Sequence, residues 1–92
     1  MRLVVTYDIT DNNMRNRFFK RLKRYLLPVQ RSVFEGHGET QQVAAVEQLA
    51  LRELDLGVDS VRLYLLCDAC AARTRHLGIS APVEDPDAPM LL

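Results

Sequence analysis

The sequence predicts an α+β domain in which an antiparallel sheet carries two helices on one face, and three observations predict it. A β-branched run opens the chain at residues 3–9. Two segments, about 13–27 and 41–54, repeat apolar residues at helical spacing. Extended runs at 29–36 and 61–66 follow those segments, so the order is strand, helix, strand, helix, strand.

The first run reads Leu-Val-Val-Thr-Tyr-Asp-Ile. In a strand Leu3, Val5 and Tyr7 share one face, and Val4, Thr6 and Asp8 share the other. Both faces are mostly apolar, so both are expected to be covered, one by helices and one by a partner sheet. Thr10, Asp11, Asn12 and Asn13 suit a turn and a helix cap. The helix expected from Asn13 to Leu27 buries Met14, Phe18, Leu22, Tyr25 and Leu26, and Pro28 ends it. Residues 29–36 extend until Gly36-His37-Gly38 breaks them, as one bent strand or two short ones. The second helix, Gln41 to Leu54, turns Val43, Val46, Ala50 and Leu54 inward, with Gly57 as its stop. Val61 to Leu66 is the next strand, and Ala72 to Leu77 fits either a short strand or a helical turn. Residues 1–80 thus form the domain. Residues 81–92 form a tail rich in proline and acid that ends in Met90-Leu91-Leu92, bare apolar residues suited to docking on a partner protomer. The whole is a split βαβ pattern resembling a ferredoxin-like sandwich, with one sheet face left for a second copy.

Ninety-two residues are near the lower limit for a single apolar core, which favours pairing. No apolar run approaches the roughly 18 residues needed to span a bilayer. The N-terminus lacks the order of a signal peptide, so a cytoplasmic location is expected. Net charge is zero, but it is strongly polarised along the chain. Residues 1–31 hold eight basic side chains against Asp8 and Asp11, whereas the remainder holds four against ten acids. A basic patch on an acidic body points to phosphate as its partner, although a solvated helix flank produces the same pattern.

Four short motifs stand in order over residues 3–78: Val5-Thr6-Tyr7-Asp8-Ile9, Arg15-Asn16-Arg17, Gln30-Arg31-Ser32-Val33-Phe34-Glu35-Gly36, and Asp59-Ser60-Val61-Arg62-Leu63-Tyr64 running on to Leu66-Cys67-Asp68-Ala69-Cys70. Each alone is weak. As a set they resemble the Cas-two family of CRISPR-associated proteins. Two positions depart from the family pattern. Pro28 stands where many members carry arginine, leaving Arg31 as the nearby basic residue, and Leu65 stands where proline is frequent.

The resemblance implies a homodimer with sheets packed face to face, acting in spacer acquisition with the CRISPR integrase (Cas-one) and binding DNA or RNA. It also implies a metal-dependent endonuclease in which the two Asp8 carboxylates meet across the two-fold axis. Two such acids would repel unless one is protonated or a cation bridges them, and Mg2+ suits that place. Asp8 is therefore the expected catalytic and metal-binding residue, and one acid per chain makes a weak centre. Arg15, Arg17, Lys20, Arg21 and Arg31 are the expected nucleic-acid contacts, with arginine favoured because its fork binds phosphate oxygens in pairs. Ser32 and Phe34 are candidate substrate contacts, although a phenylalanine in this place is more often core than base-stacking, and Tyr7 reads as core. A ferredoxin-fold ribonuclease or toxin-like regulator outside CRISPR is the alternative.

Cys67 and Cys70 form a single C-x-x-C. One pair cannot complete a tetrahedral zinc site. A redox motif would want a helix start in a thioredoxin-like unit, which is absent, so the pair reads as reduced thiols at a strand end. His37 and His76 read as ordinary loop and surface residues.

Overall fold

A computed structural model describes residues 1–78; the expected tail, 81–92, lies outside the described residues. The fold is built around β1 (Arg2–Asp8), which pairs antiparallel on one side with β3 (Val33–His37) and on the other with β4 (Ser60–Leu66). β2 (Leu27–Gln30) pairs antiparallel with β3, giving the strand order β2-β3-β1-β4. The alternation in β1 divides as expected. Leu3, Val5 and Tyr7 are buried, and Val4 and Thr6 are half-buried on the opposite face.

Two helices close the Leu3 face. α1 (Asn12–Leu22) contributes Phe18, Phe19 and Leu22, and α2 (Thr40–Glu53) contributes Val46, Leu49 and Ala50. These join Leu3, Val5, Tyr7, Ile9, Leu26, Phe34 and Leu54 in one apolar cluster. Tyr7 meets Phe18 edge-on with ring centroids 5.2 Å apart, and Phe19 meets Phe34 at the same separation. Such edge contacts add about 0.5–1.5 kcal/mol beyond area burial. The opposite sheet face carries Val4, Thr6, Val33, Arg62 and Tyr64, with Arg2 paired to Glu35 at 3.5 Å and Arg62 donating to the Tyr64 hydroxyl.

Three local features differ from the sequence reading and another, which the sequence left open, is decided by the fold, each for a physical reason. First, α1 stops at Leu22, five residues short of Leu27. Proline excludes the residue before it from helical backbone, so Leu27 and Pro28 extend into β2, and residues 23–26 are a tightened turn in which the Tyr25 amide bonds Leu22 O at 2.9 Å. Leu26 stays buried, but Tyr25 turns outward. Second, the run after α1 is two strands, because Arg31 and Ser32 form a hairpin turn with Ser32 at φ 59°. Third, Gly57 does not cap α2; that helix ends at Glu53, and Gly57 lies in the following turn, its amide bonding Asp55 Oδ1. Fourth, Cys67 begins a short α3 (Asp68–Ala72), so a helical turn precedes 72–77 and the C-x-x-C does open a helix.

Candidate functional site at the end of the central strand

Asp8 is the last residue of β1, exposed on the sheet face away from the helices and opposite Ser60 of β4. Strand alternation sends Tyr7 the other way, into the core. The Tyr7 phenol reaches the Ser32 side chain beneath the hairpin turn. Burial pushes its pKa up, while the Ser32 hydrogen bond and the nearby Arg15 charge partly draw it back. The same end of β1 thus presents an acid on one face and a Tyr7–Ser32 contact on the other.

The loop between them is held by a carboxylate to which the sequence reading assigned no role. Asp59 is only 6% exposed. Its Oδ1 accepts from both the Thr10 amide and the Thr10 hydroxyl at 3.1 Å, and its Oδ2 accepts from the Asp55 amide at 3.2 Å. Asp59 therefore ties the β1–α1 loop to the α2–β4 loop. Asp11 is the N-cap of α1, accepting from the Met14 amide at 2.8 Å. Arg15 is folded back to donate to Ile9 O at 2.9 Å and to Asn12 Oδ1. Its expected phosphate-facing role therefore starts from a guanidinium that braces the loop.

The other basic residues fall into separate groups. Arg17 and Arg21 reach toward Glu53 of α2, a residue 12% exposed, and Arg52 approaches the same carboxylate. A shallow groove beside them is lined by Arg21, Arg24, Tyr25, Leu49 and Arg52, so Arg52 of α2 joins a basic surface that the sequence placed within residues 1–31. Lys20 is exposed on α1, and Arg31 is exposed at the hairpin turn. Ser32 is half-buried against Tyr7, and Phe34 is fully buried between Tyr7 and Phe19, where it offers no surface to a substrate. A buried acid such as Asp59 has no periodic signature; the only hint was a second aspartate four residues after Asp55 across a glycine turn.

An exposed strand-end acid on an open sheet face, with a basic helix packed behind it, defines a small α+β protein that presents opposite charges at one end of its sheet. The family model described as CRISPR associated protein Cas2 matches residues 1–74, and the chain belongs to this family. It is 40% identical over 83 residues to the CRISPR-associated endoribonuclease Cas2 2 of Methanospirillum hungatei, spanning 89% of this chain and 91% of that one. It is 36% identical to the CRISPR-associated endoribonuclease Cas2 3 of Chloroflexus aurantiacus, over 90% and 89% of the two chains. The crystal structure of Streptococcus pyogenes Cas2 superposes with a TM-score of 0.73 at 28% identity, over 85% of this chain and all of that one.

Proposed function

We propose that this chain is a nucleic-acid-binding homodimer of CRISPR spacer acquisition and antiviral defence, working with the CRISPR integrase in the cytoplasm and carrying a weak magnesium-dependent phosphodiesterase centre at Asp8. The observation that carries the reading is the single exposed carboxylate ending the central strand on the uncovered sheet face. The strand order β2-β3-β1-β4 supports a ferredoxin-like protomer. Half-buried Val4, Thr6 and Val33 with Tyr64 give the open face apolar area for a second sheet. Family membership favours this reading over a ribonuclease outside CRISPR.

Among the described residues no three His, Cys, Asp or Glu side chains gather into a metal site. Magnesium, however, is held by one or two carboxylates and completes its shell with water and substrate phosphate. Asp8 suits that donor set, most fully when a second copy brings its own Asp8 alongside. The bound ion would polarise the scissile phosphate and acidify a water. The chain's own residues would do the rest: Lys20 and Arg31 hold phosphates, and Asp59 fixes the loop that follows Asp8.

A second reading, that cutting is the biological task, is favoured by the relatives' names as endoribonucleases. Asp8→Asn separates the two. The variant is expected to bind polynucleotides as before, to lose magnesium-dependent cleavage of RNA and DNA, and to support spacer acquisition. If acquisition stops while the complex with the integrase still assembles, cutting is the task and the adaptor reading is wrong.

A further inference from the structure

The pair Cys67 and Cys70 plays no part in the function proposed above. Both are free and exposed. Cys67 immediately precedes α3 and Cys70 lies one turn on, with the Cys70 amide donating to Cys67 Sγ at 3.4 Å. The two side chains also hydrogen-bond to each other across this turn, so the sulfurs already face one another. Asp68, between them in sequence, would repel a thiolate, but its carboxylate is engaged by the N-terminal ammonium of Met1 at 2.8 Å. A shallow depression lined by Ala72, Arg73, Thr74 and Arg75 follows α3 directly and places two guanidinium-bearing residues beside the pair in the chain.

We propose that Cys67 and Cys70 are a redox-active dithiol that reacts with anionic small-molecule disulfides of the glutathione type. Cys67 thiolate attacks one sulfur of the disulfide, whose S–S bond breaks and releases one thiol. Cys70 then loses its proton and attacks Cys67 Sγ, releasing the second thiol and closing an intrachain disulfide. Two electrons pass from the protein to the small molecule, and the two protein protons end, through solvent, on the two released thiols. The order follows from the geometry, because the Cys70 amide donates to Cys67 and to no sulfur of its own. The hydrogen bonds from residue 70 also lower the Cys67 pKa, while the Cys70 pKa is raised by its contact with Cys67. Arg73 and Arg75 line the depression that follows α3, and an anionic reagent drawn to that surface arrives next to the pair in the chain.

The test is incubation of the full chain with oxidised glutathione, followed by alkylation of remaining thiols and mass measurement under non-reducing conditions. Wild type is expected to lose both thiols, to gain no retained glutathione and to stay a single chain. Cys70→Ser is expected to retain one glutathione on Cys67, and Cys67→Ser to react at least about tenfold more slowly. Cystamine, a cationic disulfide, is expected to react more slowly with wild type than oxidised glutathione does. Glutathione retained on both cysteines of the wild type, a disulfide between two chains, no reaction, equal rates for the two variants, or faster reaction with cystamine would each overturn the assignment.

Discussion

Burying a carboxylate costs several kcal/mol unless hydrogen bonds replace its water, and Asp59 meets that cost with three donors from two loops. Asp59→Ala leaves the Thr10 and Asp55 amides without their acceptor, so an expected loss of about 3 kcal/mol follows, read as a lowered urea midpoint. Ser60→Ala, one residue on and exposed, is expected to stay within about 0.5 kcal/mol of wild type. Equal effects of the two changes would remove the clamp from the account. Tyr7 gives a pH dependence of definite sign. Its folded pKa is raised above the usual tyrosine value of 10.0, chiefly by burial, so above about pH 10 the unfolded chain releases a proton that the folded chain keeps. Stability is therefore fully present below about pH 10 and lost as pH rises toward the folded pKa. Urea titrations of wild type and Tyr7→Phe should diverge in this window, the variant losing less stability with rising pH; parallel curves would mean that Tyr7 does not titrate differently on folding.

At the scale of elements, the turn after α1 decides how β2 and β3 are set. Leu26 lies so close to Gly36 that a Cβ there would collide with its side chain, and Leu26 is itself buried. Gly36→Ala is expected to cost about 1–3 kcal/mol by overpacking. Leu26→Ala makes room, so the double variant should lose less than the sum of the singles; strict additivity would show that the two do not meet. The same turn shows what the sequence made legible. Strand alternation in residues 3–9 and the spacing of Phe18, Leu22, Val46 and Ala50 identify the elements and their inner faces, because burial imposes those periods. Proline at 28 correctly excluded helix from that point on but did not locate its end at Leu22, since helical spacing runs on through Tyr25 and Leu26 whether or not the backbone does. The hairpin at Arg31-Ser32 was ambiguous because serine, unlike glycine, does not announce a left-handed residue. At the site, strand parity placed Asp8 and Tyr7 on opposite faces from sequence alone. The Asp59 clamp and the pull of Glu53 on Arg17 and Arg21 were not legible, since both join residues more than thirty positions apart.

The whole molecule combines zero net charge with a basic N-terminal third, and the fold tempers that polarity by setting an acid of α2 against part of the basic helix. Glu53 sits beneath Arg17 and Arg21, whereas Arg31 projects from the hairpin turn. A polynucleotide approaching this surface would therefore meet two classes of cation. Contacts to phosphate release condensed counterions, so log affinity falls with log salt by about 0.9 per duplex phosphate neutralised. If Lys20 and Arg31 make such contacts, the double variant Lys20→Ala, Arg31→Ala should flatten that slope by roughly two and weaken binding equally for unrelated sequences. Glu53→Gln should act in the opposite direction, steepening the slope by releasing Arg17 and Arg21 toward phosphate. Fluorescence anisotropy with a labelled duplex across a salt series measures all three proteins. An unchanged slope in the Lys20 and Arg31 variant, with affinity lost only through a change in oligomeric state, would place the nucleic-acid surface elsewhere on the protein.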